Sequence, residues 1–153
     1  MSMVIRRLYN ILFAIVFSYV CGCASSPERF VERKKVNHSV DAIIKAYERS
    51  TTGIRGRSQN GRELISKYHS LKGDVYDNAY NKKERAYSKL SILGDRRPYV
   101  LRVLYVIEER TESGSYEVVE YNEESAHRIL DKMVEFLVTR PDKDDFIDDY
   151  RAF

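Results

Sequence analysis

The sequence predicts an α+β domain: a small antiparallel sheet of about three strands, packed with helices in the order α-α-β-β-β-α. Three observations predict it. Apolar residues alternate with a period of two along Tyr99–Arg110, and a turn then returns the chain over Tyr116–Tyr121. Two other stretches, around Val40–Tyr47 and Ala126–Leu137, repeat their apolar residues at helical spacing instead. The chain has 153 residues, 43% of them hydrophobic, which suits one globular domain and is short for two.

The first helix is expected after Ser39, a good N-cap, with Val40, Ile43, Ile44 and Tyr47 on one face and an end near Thr51. Thr52–Gly61 holds three glycines and no apolar period, so it reads as a loop. Leu64, Ile65, Tyr68 and Leu71 predict a second helix, capped by Asn60 and closed by Gly73. Glu84–Leu93 fits a strand ending at Gly94-Asp95. Tyr76, Tyr80, Lys83, Tyr87 and Leu90 also fit a helical stripe there, but Ser88, Ser91 and Ile92 favour the strand.

Tyr99–Arg110 is the clearest strand. Tyr99, Leu101, Val103, Tyr105 and Ile107 line one face, and Val100, Leu104 and Val106 make the other nearly as apolar. A strand apolar on both faces is expected to be central, with cover on each side. Gly114 suits the left-handed position of a three-residue hairpin, which sets Val119 and Tyr121 on the face of Tyr105 and Ile107. The last helix runs from Glu123 to Thr139. Asn122 caps it, and Ala126, Ile129, Leu130, Met133, Phe136 and Leu137 form its apolar face. Pro141 stops it, and Asp142–Phe153 reads as one more short helix.

The net charge is +3, which excludes a strongly basic nucleic-acid binder. Both cysteines lie within the first 23 residues, which excludes a disulfide scaffold and a cysteine-rich metal module. His38, His69 and His127 form no metal-binding spacing, so no metal and no cofactor is expected. Ser115 follows Gly114 without a nucleophile-elbow motif, so no catalytic residue is assigned. The acidic tail lacks the glycine and the final glutamate of an EF-hand loop.

Residues 1–22 have the three parts of a secretory signal. Arg6 and Arg7 precede Leu8–Val20, which carries no charge. Those thirteen residues span roughly 20 Å as a helix, short of about 30 Å of hydrocarbon. Val20-Cys21-Gly22-Cys23 then resembles the lipobox of bacterial lipoproteins: aliphatic, variable, small, cysteine. The resemblance implies a palmitate-type acyl chain and diacylglycerol on Cys23 as the lipid attachment site, with cleavage before it. It therefore implies a lipid-anchored protein of the bacterial cell envelope. Ala24, where an inner-membrane protein would carry aspartate, implies outer-membrane delivery if the host has two membranes.

Residues 23–37 then read as the acylated cysteine and a flexible tether ending in Arg33-Lys34-Lys35, and residues 38–153 as a single globular domain. The element order resembles that of the small lipoprotein of the outer-membrane β-barrel assembly machinery, in order alone. The expected function is a non-enzymatic binding or assembly module whose partner is another envelope protein or the cell wall. The alternative is an anion binder using Arg55, Arg57 and Arg62, which the glycines at 53, 56 and 61 flank, or a small envelope hydrolase. Ten tyrosines beyond the signal segment add contact chemistry suited to a partner surface.

Overall fold

The structure, a computed structural model, describes residues 28–139. The lipobox (Val20, Cys21, Gly22), Cys23 and the tail helix expected over Asp142–Phe153 lie outside the described residues. The elements run β1 (Phe30–Val36), α1 (Val40–Ser50), β2 (Ile54–Arg57), β3 (Glu63–Ser66), β4 (Glu84–Leu93), β5 (Tyr99–Arg110), β6 (Tyr116–Tyr121) and α2 (Glu123–Thr139). The three-stranded sheet and the α-α-β-β-β-α order are therefore overturned. One six-stranded sheet is antiparallel at every pairing, in the order β1-β5-β4-β3-β2. β6 also pairs with β5, beyond the stretch that β1 occupies. The likeness in element order to the barrel-assembly lipoprotein falls with it.

Three segments account for the difference. Ile54–Arg57, inside the stretch read as a loop, is β2, paired with β3. Residues 30–36, assigned to the tether for their charge, are β1. Val31 and Val36 are five apart, so a regular strand would point them to opposite faces. A register shift between Arg33 and Val36, with Lys35 at φ 60°, brings both to one face, where each is buried. The charged run lies between them, in the bulge and on the surface. Residues 64–71, read as a helix, instead hold β3. Leu64 pairs across from Leu90 on the buried face, and Ile65 from Lys89 on the other. Asn60 caps no helix. Its side chain accepts hydrogen bonds from the Ser58 hydroxyl and the Arg62 amide inside the β2–β3 turn, where Gly61 has φ 68°. Gly73 likewise sits in a turn rather than at a helix end.

Both helices lie on one face. Tyr99, Leu101, Val103, Tyr105 and Ile107 of β5 join Ala86, Leu90 and Ile92 of β4 in one buried cluster with Ile43, Ala46, Tyr47, Leu130 and Met133. The Ser39 hydroxyl accepts the amide of Ala42, and the Asn122 side chain that of Ser125, so both helices carry N-caps. Tyr47 is fully buried, and its hydroxyl reaches the Ser88 carbonyl and hydroxyl of β4, each at 2.8 Å. That bond ties the helix layer to the middle of the sheet. The cover expected on both faces of β5 is found on one. Val106 points the other way and is buried between its cross-strand neighbours Tyr87 and Tyr121. Tyr121 is thus opposite Val106 and not on the face of Tyr105. A shift between Ile107 and Glu108 flips that end of β6, although Thr111 and Ser115 still close a three-residue turn with Gly114 at φ 87°.

Candidate functional site

The register places one set of side chains on the sheet face opposite the helices. From β5 come Leu104, Val106 and Glu108. From β4 come Arg85, Tyr87 and Lys89, and from β1 Phe30 and Glu32. No described helix covers this face. Its middle is a stack of arginines and tyrosines. The Arg85 guanidinium lies 3.9 Å from the ring centre of Tyr68 and 3.5 Å from that of Tyr116. Its Nε donates to Glu108 at 2.6 Å. Arg85 Nη1 is buried without a hydrogen bond, but the two rings flank the cation with their negative faces. Arg55 covers the other side of the group, 3.9 Å from Tyr68 and 5.7 Å from Tyr87. The Tyr116 hydroxyl lies 2.6 Å from both the Ala79 and the Lys82 carbonyl and shares its one proton between them, pinning the 79–82 segment against the stack. Burial, with the Glu108 carboxylate second, pushes the Tyr87 phenol up to about 12.

Three ion pairs lie on this face. Arg85 pairs with Glu108, Arg102 with Glu32 at 2.7 Å, and Lys89 with Glu63 at 3.4 Å. Arg102 also lies 3.9 Å over the Phe30 ring. Phe30 and Val118 remain 40% and 44% exposed, leaving apolar surface at the margin.

The structure does not converge the three arginines expected to hold an anion. Arg55 is spent on the tyrosine stack, and its Nε donates to the Ser66 carbonyl. Arg62 binds the Gly94 and Asp95 carbonyls and lies over Tyr99. Arg57 is exposed beside Gly61. The strands, unseen in the sequence, send these side chains to different ends and faces. His69 is buried, with Nδ1 3.0 Å from the Lys67 carbonyl and Nε2 3.0 Å from the Tyr105 hydroxyl. His127 lies 3.9 Å from Glu123. Among the described residues no three histidines, cysteines or carboxylates gather as metal ligands. The Ser115 hydroxyl bonds the Thr111 and Ser113 hydroxyls of its own turn. Tyr80 is 73% exposed and Tyr76 lies against Lys82, while Tyr87 sits in the stack.

The grouping of Arg85, Tyr68 and Tyr116 is not visible in the sequence. They lie 17 and 31 residues from one another along the chain, and only the sheet register aligns them. A clue was available: an arginine in an otherwise apolar strand needs a partner across the ladder. No helix among the described residues is long and apolar enough to cross a membrane. The chain matches no family model, no curated protein and no solved structure.

Proposed function

We propose that this chain is an envelope lipoprotein, anchored through Cys23, that acts as a non-enzymatic docking module for a folded envelope protein. The sheet face without helices is the docking surface, and its arginine–tyrosine stack, with Phe30 and Val118 exposed at the margin, is the observation that carries the reading. It is rich in tyrosine and arginine, the residue types that concentrate binding energy at interfaces. Its ion pairs are already made, so covering them leaves few charges without partners. The partner surface it suits is accordingly weakly charged. Strands held in register lose little freedom on binding.

The anchor and the fold combine simply. With β1 beginning at Phe30, only Ala24–Arg29 separates the sheet from Cys23. Six residues extend to at most about 20 Å, so the sheet edge is held close to the bilayer. The partner is therefore a membrane-bound or membrane-proximal protein.

A photo-crosslinking residue at Leu104 or Val118, introduced in intact cells, tests this. It is expected to capture one envelope protein, and the same residue at Glu48 on α1 is not. Capture of the same protein from both faces, or from neither, overturns the reading.

A further inference from the structure

We infer that a cleft on the helix side of the sheet is a binding site for a polyol phosphate, a phosphate ester that also carries free hydroxyl groups. The cleft lies between the C-terminal end of α1, the first turns of α2, the 67–73 segment and the sheet residues Ser88 and Tyr105. It holds about 370 Å³, the lower end of the range of about 300–1,000 Å³ for small-molecule sites. It is on the opposite side of the sheet from the docking face and does not depend on the anchored-module reading.

Charge gives the first half of the ligand. Four cations line the cleft: Arg49, Lys72, Arg128 and Lys132. No described residue lining it carries a carboxylate. On a chain whose charges nearly balance, four cations around one concavity with no acid among them make an anion site. The cations are also placed to act on a ligand. Arg128 spends one N–H on the Ser125 hydroxyl and retains the rest of its fork. Arg49 is steadied by the Phe136 ring, 4.7 Å away. Phosphate takes such a mixed set well, accepting bonds from both guanidinium and ammonium groups.

The hydroxyl groups give the second half. The Ser50 hydroxyl donates to the Ala46 carbonyl, that of Thr51 to the Tyr47 carbonyl, and that of Thr52 to the Lys67 carbonyl. Tyr105 completes the pattern. A carbonyl can only accept, so His69 Nδ1 carries the proton it gives to Lys67, and Nε2 is left as an acceptor. The Tyr105 hydroxyl therefore donates to Nε2. These four hydroxyl protons are committed inward, and what these four oxygens retain is lone pairs, while Ser125, which accepts from Arg128, keeps its own proton to give. Lone pairs are matched by ligand O–H groups, not by a bare oxyanion. A ligand that meets both halves bears a phosphate for the cations and hydroxyls for these oxygens. Such chemistry is found in soluble polyol phosphates and in glycerophosphate lipid headgroups.

Calorimetric titration of the purified full-length protein with glycerol 3-phosphate, inorganic phosphate and glycerol tests the site. Glycerol 3-phosphate is expected to bind at one site, at least about tenfold tighter than inorganic phosphate, with glycerol weaker still. The Lys72→Gln/Lys132→Gln double variant alters two exposed side chains, so its thermal midpoint should hold. It is expected to lose about a hundredfold in affinity, about tenfold per cation. Absence of saturable binding, an unchanged affinity in the double variant, or equal affinity for inorganic phosphate overturns the inference. Glycerophosphoglycerol, the deacylated headgroup, separates the sources. Tighter binding of this diester assigns a lipid headgroup, and tighter binding of the monoester assigns a soluble ligand.

Discussion

Two buried side chains that tie elements together have measurable signatures. Tyr47 is fully buried, and its hydroxyl is the polar link between α1 and the Ser88 residue of β4. Burial raises its phenol well above the ordinary range, so it stays protonated wherever the protein is folded. Tyr47→Phe keeps the ring and is expected to cost about 1–2 kcal/mol in a urea titration, from the unpaired Ser88 groups. A cost near zero would mean that water replaces the hydroxyl. His69 gives a pH signature. Burial holds its imidazole below the usual 6.5, against the weaker opposing pull of the Lys67 carbonyl. The unfolded chain then binds a proton more readily than the folded one. Stability is therefore present above about pH 6.5 and is lost as pH falls toward the folded value. The thermal midpoint should drop over that window in the native chain and drop less in His69→Gln. Parallel curves for the two would remove His69 as the cause. The two N-caps, Ser39 and Asn122, were legible in the sequence because a cap depends only on neighbouring residues.

At the level of elements, local pattern identified α1, β4, β5, β6 and α2, each of which has a strong period over ten or so residues, or a turn that pins it. It failed for β1, β2 and β3, β2 being four residues inside the glycine-rich stretch read as a loop. β3 is four residues long, and Leu64, Ile65, Tyr68 and Leu71 happen to satisfy helical spacing while serving two faces and a loop. β1 hides its apolar pair behind a bulge: the shift that unites Val31 and Val36 is invisible until β5 supplies the register. A tether can be altered freely and a strand cannot. Val31→Ala/Val36→Ala is expected to lower stability by about 2–3 kcal/mol, from lost burial and the cavity left behind. Lys34→Ala, exposed on the same strand, should change it by less than about 0.5 kcal/mol. Equal and small effects in both would return residues 30–36 to the tether.

For the whole molecule, the sheet separates two surfaces of different chemistry. One face joins arginine, tyrosine and matched ion pairs, and the other side holds the cationic cleft beside the helices. The anchor is testable apart from both. Cys23→Ala is expected to abolish incorporation of labelled palmitate and to leave unprocessed precursor, and labelling that continues would refute lipid attachment there. The sequence by itself determined whatever rests on adjacent residues: the charge balance, the lipobox resemblance, the helix caps, and the long amphipathic strands and helices. The tertiary structure alone decided the number of strands, the embrace of Arg85 by Tyr68 and Tyr116, the scattering of Arg55, Arg57 and Arg62, and the gathering of Arg49, Lys72, Arg128 and Lys132 around one cleft. The physical reason is that side-chain direction on a strand has a period of two. One bulge or one shift in pairing reassigns every residue beyond it, and that shift is set by the partner strand rather than by the residues themselves.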